Sequence, residues 1–143
     1  NGLGRFFWGA VSDRIGRSLA YVLIYGAQAV IFFLVGVAHA LWLVAALFAI
    51  VLLCYGGGFG TMPSFVADWF GTRYMGVNYG WILSAWGAGG IAGPIFVAAV
   101  KDRTGSFSGA LPAIAAILLG AMVLPLVARR PGGRRSLPAP APP

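Results

Sequence analysis

The stretch at residues 41–60, LWLVAALFAIVLLCYGGGFG, contains no charged side chain and decides the class of fold. A bilayer core about 30 Å thick is spanned by roughly 20 apolar helical residues. Comparable apolar runs occupy residues 19–38, 77–100 and 109–128, and residues 1–11 resemble the end of a further helix. We therefore predict an all-α integral membrane protein with helices at about residues 1–11, 19–38, 41–70, 77–100 and 109–128.

The composition excludes most enzyme chemistry. Hydrophobic residues make up 59% of the chain and charged residues 9%, whereas soluble domains carry about 25% charged residues. The carboxylates are Asp13, Asp68 and Asp102, and the chain has one cysteine, Cys54, and one histidine, His39. This small number of ionisable side chains argues against paired-carboxylate hydrolysis, metal ligation and Cys/His catalysis. We expect neither an enzyme nor a metal or cofactor site.

The basic residues predict how the chain is oriented in the membrane. The net charge is +7, but no basic stripe interleaved with aromatic residues is present, so nucleic acid is not an expected partner. Lys101 and Arg103 fall on one predicted side of the bilayer. The other side holds Arg14, Arg17, Arg73, Arg129, Arg130, Arg134 and Arg135. The positive-inside rule makes this second side cytoplasmic. We expect a multi-pass protein of the inner (plasma) membrane, ending in a disordered, Pro-rich and basic cytoplasmic tail at residues 129–143.

Residues 9–17, GAVSDRIGR, form a charged motif between two apolar segments. Gly9 would allow close helix approach, and Gly16 would support a tight turn. Asp13 could pair with an arginine, or face the N-terminus of a neighbouring helix, in one conformation and not in another. The motif also contains Arg14 and Arg17. An ordinary charged loop is the alternative. The motif resembles the loop signature of the major facilitator superfamily, which recurs between helices eight and nine of that twelve-helix fold.

The number of helices after this motif places the chain within that fold. Four helices and a tail follow residues 9–17, so the chain resembles the C-terminal part, from the end of helix eight to helix twelve. The sequence does not begin with Met, and its first residues already look helical. We therefore expect a fragment of a longer protein, whose N-terminal half is missing.

Two stretches rich in glycine predict pliable helices. In residues 56–63 we expect bending or local unwinding, and a packing kink is the alternative. The residues concerned are Gly56, Gly57, Gly58, Gly60 and Pro63. A second set in the run at residues 77–100 resembles the antiporter motif of the superfamily, and plain close packing is the alternative. Its residues are Gly80, Gly89, Gly93 and Pro94.

A narrower resemblance rests on three further stretches. These stretches are similar to the oxalate/formate antiporter family of that superfamily. They are residues 1–5 (NGLGR), residues 56–63 together with 67–72 (ADWFGT), and residues 79–87. The likeness extends over about residues 1–128. It implies secondary transport of small carboxylates.

Arg5 is the leading candidate for binding the substrate. It precedes Asp13 by eight residues, about 12 Å along a helix, and a buried membrane cation by default marks a substrate or ion path. Arginine also binds carboxylates with two parallel hydrogen bonds. The resemblance implies the same role, because helix eight of the family carries a substrate-binding arginine. A structural ion pair with the missing half is the alternative.

Three further residues are assigned to the predicted substrate site. The oxalate-binding member of the family uses a lysine in helix eleven, where this chain has Trp86, so one cation favours a monocarboxylate such as formate. Tyr55 and Trp86 would form aromatic walls, and Gln28 would contact substrate. Packing roles are the alternative for each of them.

These observations predict secondary active transport of a small organic anion of the formate, oxalate or monocarboxylate type by alternating access. The expected partners are a small carboxylate, protons if the transporter is a symporter rather than an antiporter, the lipid bilayer and the N-terminal half. A superfamily transporter for neutral solutes or drugs, and a non-transporting sensor with this fold, remain alternatives.

Overall fold

The fold is described by a computed structural model that covers residues 1–128. Helices occupy most of this part of the chain. Their bounds are Gly2–Ile15 (α1), Arg17–Val35 (α2), Leu41–Phe70 (α3), Met75–Thr104 (α4), Ala110–Ala121 (α5) and Leu124–Val127 (α6). A 3₁₀ turn at Phe107–Gly109 leads into α5. The tail predicted at residues 129–143 lies outside the described residues.

Four segments are long and apolar enough to cross a membrane. These are α2, α3, α4 and the unit Phe107–Val127, which joins the 3₁₀ turn, α5 and α6. Residues 1–128 contain no β-strand. The prediction of an all-α membrane fold is confirmed.

The helix α1 runs to Ile15, beyond the end predicted near residue 11. The charged residues that suggested an earlier end are tolerated because Arg14 lies in the last turn, where a cation complements the partial negative charge of a helix C-terminus. Gly16 alone separates α1 from α2, with a φ of 90° that favours glycine. The motif at residues 9–17 is therefore mostly helix, with a one-residue turn.

The helix α4 also exceeds its predicted bounds, and the last span is interrupted. Lys101 and Arg103 lie in the last turn of α4, and Gly105 ends the helix in the left-handed conformation with a φ of 71°. The run predicted as one helix at residues 109–128 is broken at Met122 and Val123. Pro125 follows this break, and its ring nitrogen has no hydrogen to donate to the preceding turn.

Glycines bring α1 and α3 into close contact. A β-carbon on Gly4 would collide with the carbonyl of Leu53, and one on Gly56 would collide with the carbonyl of Asn1. A β-carbon on Gly60 would lie 2.8 Å from the α-carbon of Arg5. Small residues at membrane helix interfaces allow this backbone approach, which supplies van der Waals contact in the absence of a hydrophobic driving force.

The buried core lies where α1, α2 and α3 meet. Trp8 of α1, Ala20 and Ile24 of α2, and Cys54 of α3 form its central cluster. The helix α2 also packs against α5 and α6. The helix α2 is thus held between α3 and the last span.

The helix α4 is attached to this group along one side only. It contacts α3, α5 and the 3₁₀ turn, but none of its residues is buried by the described part of the chain. Its glycines Gly80, Gly87, Gly89, Gly90 and Gly93 have open space where a β-carbon would be. Within residues 1–128, α4 is therefore the least constrained of the long helices.

Candidate substrate site

An aromatic group joins α3 to α4. The indole Nε1 of Trp86 donates a hydrogen bond to the Tyr55 hydroxyl at 3.2 Å. The Phe59 ring lies edge-on to both neighbours, with centroid distances of 5.1 Å to Tyr55 and 5.4 Å to Trp86. Tyr55 and Phe59 are one turn apart in α3, whereas Trp86 lies 27 residues beyond Phe59 in α4, so their contact with Trp86 depends on how α4 packs on α3. The structure brings together the two aromatic residues predicted at the substrate site.

A cavity of about 250 Å³ adjoins this aromatic group, between α2, α3, α4 and α5. Gln28, Tyr55 and Trp86 all line it, although they come from three helices. The Gln28 side-chain amide donates to the carbonyl of Ile24 at 3.3 Å. Of residues 1–128, none donates a hydrogen bond to the amide oxygen of Gln28.

Arg5 does not line this cavity. Its α-carbon lies against Gly60, on the face of α3 that α1 covers, whereas Tyr55 and Phe59 occupy a different face. The Arg5 side chain is exposed on α1. Within residues 1–128 it has no ion-pair partner. The four predicted binding residues therefore separate into one cation on α1 and three residues around the cavity.

The charged motif joins α1, α2 and α3 through the contacts of Arg17 with Asp13 and Asp68, which we call the charged tie. Arg17, at the first position of α2, contacts the Asp13 carboxylate of α1 at 2.5 Å and the Asp68 carboxylate of α3 at 3.5 Å. Its guanidinium also hydrogen-bonds the hydroxyl of Ser12, which is buried. Ser12 in turn donates to the carbonyl of Gly9 at 2.9 Å. One arginine thus joins the ends of three helices.

One expectation for this motif is not met within residues 1–128. Nothing lies within 4 Å of a β-carbon built on Gly9, so the close helix approach occurs at Gly4 instead. Arg14 is exposed and pairs with neither Asp13 nor Asp68, both of which pair with Arg17. Gly16 turns the chain directly before Arg17, and the Arg17 side chain therefore lies within reach of both carboxylates.

The stretch at residues 56–63 remains helical and is not unwound. Gly56, Gly57 and Gly60 face α1, where the glycines serve close packing rather than bending. The Tyr21 hydroxyl donates to the carbonyl of Gly58 at 2.7 Å, which ties α2 to the same stretch. Pro63 has no N–H, so the carbonyl of Phe59 lacks its usual helical partner.

The second glycine-rich set also lies in a continuous helix. Gly80, Gly89, Gly93 and Pro94 all fall within α4. Pro94 cannot donate to the carbonyl of Gly90 four residues earlier, which weakens the helix locally. No described residue packs on these glycines.

Two features of the site were not predicted from the sequence. Asp68 received no role, although it is one of only three carboxylates and stands near a predicted cytoplasmic end. Tyr21 and Tyr25 also line the cavity. Tyr25 follows Tyr21 by four residues, and Gln28 follows Tyr25 by three, so all three lie on one face of a helix. This spacing could have identified the two tyrosines from the sequence.

Comparison with known proteins assigns the family. The family model described as Major Facilitator Superfamily matches residues 1–143. The chain belongs to the major facilitator superfamily. It is 35% identical to the oxalate:formate antiporter of Oxalobacter formigenes over 90% of this chain. The alignment covers 32% of that relative, so the chain spans about a third of its length. No solved structure matches the chain.

Membership in the superfamily agrees with the helical architecture. The resemblance to the oxalate/formate antiporter family is confirmed at the level of sequence. Together with the four membrane-length segments, it identifies a multi-pass membrane protein.

Proposed function

We propose that the protein to which this chain belongs carries a small organic anion across the membrane by alternating access. The superfamily and the similarity to an oxalate:formate antiporter support transport. The observation that carries the anion assignment is Arg5, an exposed cation on the apolar helix α1 without an ion-pair partner among residues 1–128. A charge in a membrane helix is costly unless it is paired, and a carboxylate substrate would supply the partner.

The residue type suits this role. A guanidinium is always charged and presents parallel N–H groups that match the two oxygens of a carboxylate. The remaining helices of the transporter would close the site on the exposed side of α1. The aromatic pair Tyr55 and Trp86, with Gln28, would line a separate part of the site, contributed by α2, α3 and α4.

The charged tie would control the conformational cycle. The contacts of Arg17 with Asp13 and Asp68 hold the ends of three helices in one arrangement. Alternating access requires two arrangements of similar free energy, and exposed ion pairs contribute about 0–1 kcal/mol each. Breaking this tie in one state is therefore inexpensive. The glycines and Pro94 of α4 would supply the bending.

The same proposal implies the location, the orientation and the partners of the protein. The protein would lie in the plasma membrane with the charged tie and the C-terminus on the cytoplasmic side. Its partners would be lipid, a small carboxylate and the N-terminal half, with protons as the coupled ion if it is a symporter rather than an exchanger.

Transport by the full-length protein in liposomes tests the role of Arg5. We expect uptake of labelled formate, oxalate or lactate to fall at least about tenfold in Arg5→Gln, since a lost charged contact costs about 1.5–3 kcal/mol. Arg5→Lys should retain part of the activity, because the charge remains but the paired hydrogen bonds do not.

The matched control is Arg73→Gln, which removes an arginine that stacks on Tyr74 outside the proposed site. Unchanged uptake in both Arg5 variants would contradict the assignment. Saturable uptake of an uncharged solute, without competition by carboxylates, would instead support the transport of neutral compounds.

A further inference from the structure

The cavity beside Tyr55 and Trp86 is large for the anions named so far. Its volume is about 250 Å³. A protein cavity of about 150 Å³ is enough to hold benzene, and a water molecule occupies about 30 Å³ of liquid. Formate and oxalate carry no side chain, so either would leave most of this space empty. The cavity therefore has room for a ligand with a substantial carbon body.

The lining is suited to an uncharged group. Aliphatic and aromatic side chains predominate, including Ile24, Ile82, Leu83 and Leu118. Among the described residues that line the cavity, none is charged. Its polar side chains include Tyr25, Tyr79 and Gln28, which offer neutral hydrogen-bonding groups. A carboxylate would lose its hydration here without a cation to replace it, whereas an apolar body would be stabilised.

We propose that this cavity receives the carbon body of the substrate, and that the substrate is an aromatic or branched-chain monocarboxylate. The carboxylate stays outside the cavity, which no charged side chain lines. This inference rests on the proposed function as an anion transporter. It adds a size and shape requirement that Arg5 alone does not impose.

Gly58 offers a direct way to test the volume. It lines the cavity, and no atom lies within 4 Å of a β-carbon built on it. Gly58→Leu would therefore fill the cavity without a collision at the β-carbon. The backbone carbonyl of Gly58, which accepts from Tyr21, is retained in this variant. Gly58→Ala provides a smaller step in the same direction.

The experiment compares substrates of different size in liposomes that contain the full-length transporter. Benzoate and 4-methyl-2-oxopentanoate represent the large monocarboxylates, and formate and oxalate represent the small anions. We expect the wild type to take up at least one large monocarboxylate with a lower KM than formate. In Gly58→Leu this KM should rise at least about tenfold, because a mismatch of a single methylene between a substrate and an apolar pocket changes binding about 10-fold or more.

Two controls separate a size effect from a folding effect. Gly76→Leu introduces the same side chain near the start of α4, where a β-carbon also meets nothing within 4 Å and which does not line the cavity. It should leave the KM for the large monocarboxylates unchanged. In the opposite direction, Leu83→Ala enlarges the cavity and should favour the larger substrates. Gly58→Ala should give an intermediate KM.

Three outcomes would overturn the inference. If formate and oxalate are transported and both large monocarboxylates are not, the cavity does not hold the substrate body, and the proposed function stands. If Gly58→Leu lowers the uptake of small and large anions equally, its effect is not one of size. If the wild type transports no carboxylate, the proposed function fails and this inference fails with it.

Discussion

At the scale of single residues, three glycines of α3 determine how closely α1 can approach. Gly56, Gly57 and Gly60 lie on one face, and a β-carbon on any of them would meet an atom of α1 or of Asn1, the residue before it, at less than 3 Å. At Gly56 the obstacle is the backbone of Asn1, which cannot move aside as a flexible side chain could. Gly58, on another face, has no such neighbour.

This difference predicts the effect of valine at two neighbouring positions. Gly56→Val should destabilise the protein by about 1–3 kcal/mol, because overpacking forces the backbone of α1 away from α3. Gly58→Val introduces the same β-branched residue into the same helix and is the matched control. The measurement is the thermal unfolding of the purified full-length protein in detergent. Equal stability of the two variants would argue against a close crossing at Gly56.

At the scale of the elements, Arg17 joins three helices through contacts that are only partly buried. Its side chain is 17% exposed, whereas those of Asp13 and Asp68 are 64% and 44% exposed. Water screens such pairs, so each contributes little to the free energy of unfolding. A free energy of this size is nevertheless comparable to the difference in free energy between two conformations of a transporter. We therefore expect the tie to affect transport more than stability.

Asp68→Asn tests this expectation. The variant should change the free energy of unfolding by less than about 1 kcal/mol. Its maximal transport rate should fall several-fold, since about 1 kcal/mol changes a ratio of conformations about fivefold. Transport in liposomes and thermal unfolding in detergent measure the two quantities.

The matched control is Asp102→Asn, which alters the carboxylate at the opposite end of the spans. Its transport rate should remain that of the wild type. A wild-type rate in Asp68→Asn, or a loss of stability that accounts for its slower transport, would contradict the role of the tie.

At the scale of the whole molecule, the described helices present a large apolar surface. Trp42, Trp81 and Ile91 are more than two-thirds exposed, and α4 buries no residue. Lipid and the remaining helices of the transporter would cover this surface, since the chain spans about a third of its relative. The ends of the spans alternate in charge. Arg17 and Arg73 lie at one side, and Lys101 and Arg103 at the other.

Labelling of single cysteines tests the proposed orientation in the membrane. The background is the full-length protein with its native cysteines, including Cys54, replaced by serine. Ser106→Cys lies in the turn after α4 and should react with a membrane-impermeant maleimide in intact cells. Thr72→Cys lies between α3 and α4 and should react only after permeabilisation. The reverse pattern would contradict a cytoplasmic C-terminus.

The sequence by itself determined the helical membrane class, because the length of an apolar run is a local property that the bilayer thickness interprets directly. It also identified the family through residues 9–17 and the glycine-rich stretches. The bounds of α1 and α4 were less predictable. Charged residues that mark a membrane edge do not end a helix, and Gly16 and Gly105 do.

Only the tertiary structure decided which candidate residues act together. Gln28, Tyr55 and Trp86 meet at one cavity because α2, α3 and α4 pack around it, and no spacing along the chain specifies that contact. The same packing places Arg5 against a different face of α3. Because of the same packing, the glycines that were predicted to unwind α3 form the contact of α3 with α1. A glycine either bends a helix or admits a neighbour, and the neighbouring helix determines which of these occurs.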